Sequence, residues 1–208
     1  MTLDLLSALA AFAFAMSITP GPNNLMLMAS GAKFGLRRTM PHVLGVSGGF
    51  VILTIVIGAG LMQIFDAVPG SYTTLKIASV IYMLWLAWKI LGSAAPAEGN
   101  SGGKPLTFLQ AAAFQWVNPK ALVMALSALT NYAPSQDRAA ILLVALVFGA
   151  VNLPSVSCWA WAGQEMRRFL TNPARLRAFN ITMAVLLLAS LYPVLAGHSP
   201  LQPGLQAH

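Results

Sequence analysis

The sequence predicts an all-α membrane protein, and three observations lead to that prediction. Only 8% of the 208 residues are charged while 57% are hydrophobic, and the mean hydropathy is +0.71. Soluble domains carry about 25% charged residues, so this chain has too few charges to coat a soluble fold. Its apolar stretches each have the ~20 residues that a helix needs to cross a bilayer, and two of them are interrupted by proline.

Six apolar spans, each predicted to be a transmembrane helix, follow one another along the chain. The second span is rich in glycine, and the third carries aromatic side chains toward Lys89, as an interfacial belt does. A connection rich in glycine, serine and proline, longer than the others, falls near the midpoint. The predicted spans are residues 3–30, 40–63, 73–91, 107–131, 139–164 and 179–196.

The first span contains a break that no regular helix can accommodate. Within Thr19-Pro20-Gly21-Pro22-Asn23-Asn24, each proline removes a backbone donor and clashes with the preceding turn. No charged residue lies between Leu5 and Ala32, so the break falls at membrane depth. Freed carbonyl and amide groups are tolerated there only where they are buried in protein or line a water-filled cavity.

A second break lies in the fourth span, at Asn118-Pro119-Lys120. Helices 1 and 4, each the first of a three-span half, are therefore predicted to be broken, with Pro20 and Pro119 99 residues apart. Because three is odd, the second half enters the membrane from the opposite side, which is the pattern of a 3+3 inverted-repeat transporter. We predict one transmembrane domain over 1–208, with halves 1–92 and 106–208 and a linker at 93–105.

The basic residues set the predicted orientation. Six crossings place both termini on one side, where only Lys76 and Arg138 are basic. Under the positive-inside rule the opposite, basic side is cytoplasmic, so both termini face away from the cytoplasm. The net charge of +7 predicts no nucleic-acid partner, because the charges form no continuous face. The basic side carries Lys33, Arg37, Arg38, Lys89, Lys104, Arg167, Arg168, Arg175 and Arg177.

The two breaks together predict a binding site for a zwitterion. A half-helix that starts near Pro22 presents unpaired amides and a positive dipole end to a carboxylate. Carbonyl groups freed before Pro20 and Pro119 are acceptors for an ammonium group, and asparagine side chains supply both donors and acceptors. The predicted substrate-binding residues are Thr19, Pro20, Gly21, Pro22, Asn23, Asn24, Asn118, Pro119 and Lys120.

Several of these features also have a purely structural explanation. A proline in a membrane helix is often only a kink, and the Lys120 side chain can extend toward the interface instead of entering the site. Asn152 favours an interhelical hydrogen bond over contact with a substrate. Gly45 and Gly49 have the spacing of a helix-packing motif, and the glycine-rich second span leaves a homodimer open.

Two motifs and the number of spans resemble the LysE/RhtB family of amino-acid exporters, and the resemblance covers nearly the whole chain. The motifs are Thr19-Pro20-Gly21-Pro22-Asn23 and Phe114-Gln115-Trp116-Val117-Asn118-Pro119-Lys120-Ala121. Two further segments are similar to the cysteine/O-acetylserine exporter branch of that family. They are Leu86-Ala87-Trp88-Lys89-Ile90 and Cys158-Trp159-Ala160-Trp161-Ala162-Gly163.

The resemblance implies a secondary transporter in the bacterial inner membrane that exports a small amino acid or derivative, coupled to the proton gradient or by exchange. Members of the family that export lysine or arginine carry intramembrane aspartates in the second span and after the Asn-Pro motif. The corresponding positions here, 45–49 and 122–124, are uncharged. A neutral substrate is therefore expected, either cysteine/O-acetylserine-like or threonine/homoserine-like.

The sequence leaves open which group would couple export to protons. No Asp or Glu lies well inside a predicted span, so the chain offers no obvious carboxylate carrier. The candidates are the ionisable groups of the substrate itself and the side chains of Asp4, His42, Asp66 and Lys120.

Two other classes of membrane protein have a similar composition. An intramembrane enzyme would need a nucleophile–base pair, an acid dyad or a metal cluster inside the spans. The sequence contains none of these, so no catalytic residue, metal or cofactor is predicted. A channel or a non-transporting structural membrane subunit remains the alternative to a secondary transporter. Saturable efflux that stops when the proton gradient collapses would distinguish a carrier from both.

We predict that Asn118→Ala and Pro20→Ala each abolish export, because they remove polar and backbone groups at the two breaks. Both variants should still insert into the membrane, since neither introduces a charge into an apolar span. Efflux of the amino acid and the amount of protein in the membrane fraction are the two measurements. Normal efflux in both variants would remove the assignment of the site.

Overall fold

The computed structural model describes residues 2–61, 63, 67–68, 70–92, 103–133, 137–190 and 192, which form helices joined by short connections. These residues contain no strand, so the all-α prediction is confirmed for this part of the chain. The helices are α1 (Leu3–Ile18), α2 (Pro22–Phe34), α3 (Leu36–Val56, followed by a π-helical turn at Ile57–Leu61), α4 (Ser71–Leu91), α5 (Phe108–Phe114), α6 (Pro119–Tyr132), α7 (Arg138–Met166, followed by a 3-10 turn at Arg167–Phe169) and α8 (Pro173–Ala189).

Within the described residues, three helical stretches are individually long and apolar enough to cross a bilayer: Leu36–Gly60, Thr73–Leu91 and Arg138–Phe169. α1 and α2 pass the same test together, as a pair bent by 57° at the first break. The helices α5, α6 and α8 have 7, 14 and 17 residues, fewer than the ~20 that a straight crossing needs. The six-span count and the inverted repeat therefore stay predictions.

Polar residues fix where several of these helices begin. Thr2 accepts a hydrogen bond from the Leu5 amide, and Asp137 accepts one from the Ala140 amide. Such N-caps satisfy amides that have no intrahelical acceptor. α8 is capped by Asn172 and so begins at Pro173, ahead of the predicted start of the last span at 179.

The connection between the first two predicted spans is shorter than the predicted residues 31–39. Gly35 alone separates α2 from α3, with a φ of 78° that glycine adopts readily. Arg37 and Arg38 therefore lie in the first turn of α3 and not in a loop. The second span accordingly begins at Leu36, before the predicted residue 40.

α7 is the helix against which α1, α2 and α3 all pack. Its closest approach is to α2, where the two backbones touch. A Cβ added to Gly31 would overlap the carbonyl oxygen of Ala160, and one added to Gly163 would overlap that of Met28. Glycine at both positions is what allows the two helices to come this close.

The glycines of α3 pack within the chain. A Cβ on Gly49 would lie 2.5 Å from the Cα of Ala112 on α5, and one on Gly45 would overlap the carbonyl oxygen of Phe108. The helix-packing explanation of this glycine pair is therefore confirmed. Because this face of α3 is covered by α5, it offers no argument for a homodimer.

We predict that Gly163→Ala lowers the thermal stability of the purified protein in detergent. The added methyl group must push α7 away from α2, and overpacking of this kind costs about 1–3 kcal/mol. Gly92→Ala is the matched control, since the nearest atom to its added Cβ is the Trp88 oxygen at 3.7 Å. A wild-type melting temperature for Gly163→Ala would contradict the close backbone contact.

Candidate functional site

The first break is a short extended segment between α1 and α2. Thr19 has a φ of −66° and a ψ of 143°, and Gly21 is nearly fully extended. Carbonyl groups that would bond within a continuous helix are therefore left without helical partners. The first-turn amides of α2, at Asn23 and Asn24, likewise have no intrahelical acceptor.

Side chains from other parts of the fold bind these freed carbonyl groups. The amide nitrogen of Asn24 donates to the carbonyl oxygens of Ser17 and Thr19, at 2.8 Å each. The indole nitrogen of Trp159, on α7, donates to the Ile18 oxygen at 3.2 Å. The break is thus held open by specific hydrogen bonds, as buried backbone polar groups require.

The ammonium group of Lys120 is the third partner of the break. Its Nζ donates to the Thr19 carbonyl oxygen at 2.7 Å, to Thr19 Oγ1 at 2.9 Å and to the Pro20 oxygen at 3.4 Å. A cation at this position also faces the negative end of the α1 dipole. The side chain of Lys120 is therefore directed toward the first break.

Gly21 makes room for the lysine stem. A Cβ at this position would lie 2.6 Å from Cδ and 3.1 Å from Nζ of Lys120. Any larger residue would therefore push the lysine off the carbonyl groups of the break. The backbone at Gly21 is extended, so the need for glycine at this position is steric and not conformational.

The second break starts α6 so that Lys120 falls in its first turn. α5 ends at Phe114, and the next residues continue in a tight turn in which the Trp116 amide bonds to the Ala113 oxygen at 3.2 Å. Asn118 is 1% exposed, and its Oδ1 accepts from the Lys120 amide at 3.2 Å. Asn118 is therefore the N-cap of α6, and Pro119 occupies the favourable first helical position.

A pair of amide side chains joins the two breaks directly. Asn23 Nδ2 donates to Gln115 Oε1 at 2.8 Å, and Gln115 Nε2 donates back to Asn23 Oδ1 at 3.2 Å. Gln115 is completely buried and also donates to the Ala111 oxygen at 2.8 Å. Residues 92 positions apart are thus brought into contact, so the two interrupted segments form one structure.

Asn152 links the same region to α3. Its Nδ2 donates to the Ser17 hydroxyl at 3.0 Å, and its Oδ1 accepts from the Ser47 hydroxyl at 2.9 Å. The expected interhelical hydrogen bond of Asn152 is therefore present. The same side chain also lines the cavity between the breaks.

A cavity lies between the two breaks, with a volume of about 20 Å³, close to what one water molecule needs. Five of the predicted site residues line it: Gly21, Asn23, Asn24, Asn118 and Lys120. Thr19 and Pro20 accept hydrogen bonds from Lys120, and Pro22 and Pro119 begin helices. Its polar lining also includes Ser17, Gln115 and Asn152, and its apolar lining is Met16, Val46, Phe50, Ala121, Met124 and Val156.

Gln115 and Ser17 line this cavity although the sequence did not propose them as site residues, and Asn152 was expected only to bond between helices. Gln115 stands inside the Phe-Gln-Trp-Val-Asn-Pro motif, so its place next to the second break was a usable signal. Ser17 and Asn152 carried no comparable signal, because serine and asparagine in apolar helices generally serve helix packing.

Two larger cavities flank the central one, and α3 lines all three in turn. His42 lines a cavity of about 360 Å³, Val46 and Phe50 line the central cavity, and Ile57 lines a cavity of about 210 Å³. The first contains Lys33, Lys89 and Lys104, and we call it the basic cavity. The second has no charged residue among the lining residues that the structure describes, and we call it the neutral cavity.

Apolar helices long enough to cross a bilayer, interrupted around an internal polar cavity, define a helical membrane protein with a polar interior. The particular family follows from comparison with known proteins. The family described as LysE type translocator matches residues 14–190, and the chain belongs to this family of amino-acid efflux transporters.

Individual relatives match over almost their full length. The cysteine/O-acetylserine efflux protein of Escherichia coli strain K12 is 30% identical over 189 residues, covering 90% of this chain and 95% of that protein. The protein of the same name from strain E24377A is 30% identical over 190 residues, covering 90% and 96%. A Shigella sonnei protein of that name gives the same values as the K12 protein. No solved structure matches the chain.

We predict that Asn23 and Gln115 are energetically coupled. In a double-mutant cycle of Asn23→Ala and Gln115→Ala, the double mutant should lose less unfolding free energy than the sum of the two single mutants. The difference should be about 1 kcal/mol, as for a direct hydrogen-bonded pair. Pairing Asn23→Ala with Asn131→Ala is the control, because Asn131 donates to Ser127 of its own helix. Additive losses for Asn23 and Gln115 would show that the breaks are not joined through this pair.

Proposed function

We propose that this transporter exports a small neutral amino acid, or a derivative that keeps both α-substituents, from the cytoplasm, and that substrate binds at the paired breaks. The observation that supports this most directly is the ammonium of Lys120 on the Thr19 and Pro20 carbonyl oxygens. A protein ammonium held there supports the proposal that these acceptors bind the ammonium group of an amino acid. The substrate-binding residues are those predicted from the sequence, with Ser17, Gln115 and Asn152 added.

Binding then becomes an exchange of partners. The substrate ammonium takes the carbonyl groups of the first break, and Lys120, once displaced, pairs with the substrate carboxylate. The amides of Asn23 and Asn24 at the start of α2 provide further donors and a positive dipole end for that carboxylate. Because the central cavity is so small, the Lys120 side chain has to move for an amino acid to enter.

The residues around the central cavity favour an uncharged side chain. Met16, Phe50 and Met124 contribute apolar surface, and no Asp or Glu is among the lining residues. A cationic side chain would have no counter-charge there, and an unpaired charge in the membrane interior is expensive. The names of the relatives also favour a neutral substrate, cysteine or O-acetylserine. The alternative that the sequence analysis left open is threonine or homoserine.

The membrane arrangement that goes with this function keeps the form predicted from sequence. One domain crosses the bacterial inner membrane six times as a 3+3 inverted repeat, and both termini are periplasmic. Support comes from the basic residues around the basic cavity, since Lys33, Lys89 and Lys104 lie together at one end of α3. This end is cytoplasmic under the positive-inside rule.

Proton coupling is part of the proposal, and its carrier is one of the groups named above. Lys120 is in a suitable position to carry the proton, because its hydrogen-bond partners change when the substrate binds. His42 is buried on α3 beside the basic cavity, whereas Asp4 is exposed at the start of α1. Asp66 lies outside the described residues.

We predict saturable efflux of cysteine or O-acetylserine from proteoliposomes under an imposed pH gradient, and loss of that efflux when a protonophore is added. Threonine and homoserine test the alternative substrates, and lysine is the cationic control that should not be carried. Flux that rises linearly with concentration would indicate a channel, and no flux for any amino acid would overturn the proposed function.

Lys120→Met provides the matched variant for this experiment. It removes the partner of the substrate carboxylate while keeping an unbranched stem against Gly21. Charge-assisted hydrogen bonds contribute about 1.5–3 kcal/mol, so the KM for the amino acid should rise by at least about tenfold. The KM for a decarboxylated amine such as cysteamine should change little in the same variant. An equal rise in KM for both compounds would contradict the exchange of partners.

A further inference from the structure

We propose that the basic cavity is a second binding site, specific for an organic carboxylate, in which His42 is the buried hydrogen-bond donor. The interpretation of this cavity as the cytoplasmic entrance for the exported amino acid rests on the proposed function, whereas anion binding in the cavity does not. The cavity has a volume of about 360 Å³ and is the largest of the three along α3.

The described residues that line the cavity carry charge of one sign. Lys33, Lys89 and Lys104 line it, and no Asp or Glu is among the lining residues that the structure describes. The Lys89 ammonium lies 4.1 Å from the centre of the Trp85 ring, which lines the cavity as well. A cleft lined by a single sign of charge and walled by apolar groups concentrates counter-ions. Such a cavity attracts an anion.

His42 is the independent observation that points to a ligand. It is 2% exposed and lines the basic cavity, and neither ring nitrogen has a hydrogen-bond partner among the described residues. Buried polar atoms are almost always paired, so an unpaired group calls for an explanation. A neutral imidazole always has one N–H donor. Both ring nitrogens are enclosed, so a carboxylate in the cavity would accept this N–H after the ring turns toward the cavity.

The lining also favours an organic anion over an inorganic one. Met26, Phe34, Leu86, Ile90 and Leu106 supply apolar surface between the basic groups. A strongly hydrated ion gains nothing from such contacts, whereas the carbon atoms of an amino acid do.

The basic cavity is adjacent to the central one. On α2, Asn23 lines the central cavity and Met26 lines the basic cavity; on α3, Val46 and His42 do the same. Residues three or four apart on a helix are neighbours, with Cβ atoms about 5–6 Å apart. A carboxylate bound at His42 is therefore about one helical turn from the paired breaks.

The test uses the single cysteine of the chain, Cys158, which is exposed. In a Cys158→Ala background, Ala29→Cys places a thiol in the basic cavity and Thr130→Cys places one in the neutral cavity. Purified protein is labelled with an anionic (sulfonatoethyl) or a cationic (trimethylammonioethyl) methanethiosulfonate, with rates normalised to those of a free thiol. At position 29 we expect the anionic reagent to label faster than the cationic one by about tenfold or more. At position 130 the two reagents should label at equal normalised rates.

Protection by a probe anion then tests binding itself. Acetate should slow labelling at position 29 several-fold, and more than phosphate does at equal ionic strength. Adding His42→Leu should remove this protection, whereas His42→Gln, which keeps an N–H donor, should retain it. The melting temperature of His42→Leu should not fall, because the imidazole has no partner to lose.

The outcomes separate this proposal from the proposed function. Absence of a charge preference, absence of acetate protection, or protection that survives His42→Leu would each overturn the carboxylate site. Protection by phosphatidylglycerol vesicles but not by acetate would assign the cavity to lipid and also overturn it. Labelling requires no transport, so acetate protection in a protein that exports no amino acid would leave this site standing while the proposed function fell.

Discussion

The bonds between the Lys120 ammonium and the Thr19 and Pro20 carbonyl oxygens are the interaction on which the rest of the site depends. Two prolines and a glycine free these carbonyl groups from helical bonding, and no water is available in a bilayer core to replace it. The chain supplies instead a cation with three N–H groups. Gly21, the cap at Asn118 and the first turn of α6 all serve to bring that donor into reach.

The remaining bonds distribute the same task over three helices. Asn24 and Trp159 bind the other freed carbonyl oxygens, and the Asn23–Gln115 pair joins the first break to the second. Each of these bonds contributes only about 1 kcal/mol net. A site held by several modest bonds is stable as a whole, yet any one partner can be exchanged for another at small cost. An exchange of this kind is what the proposed function requires of Lys120.

The three cavities along α3 are consistent with a route that passes the breaks. The central cavity is nearly closed, and on its neutral side Phe50 packs against Phe148 with ring centres 4.6 Å apart. Phe12 in turn lies 6.1 Å from Phe148 and 5.6 Å from Tyr132. These aromatic side chains fill the core between the central and neutral cavities. Under the proposed function, they form the barrier that substrate must pass on its way out.

The sequence by itself determined the all-α membrane class, both interruptions and the family. Proline chemistry, low charge and span length act locally and need no knowledge of packing. It also placed Lys120 and the asparagines near the breaks, but it could not tell which were free to meet a ligand. Only the tertiary structure decided that Asn24 and Asn118 are engaged in holding the breaks, that Gln115 and Asn152 line the central cavity, and that Gly45 and Gly49 face α5. The physical reason is that a hydrogen bond or a close glycine contact depends on a partner about a hundred residues away, and the chain brings such partners together only when it folds.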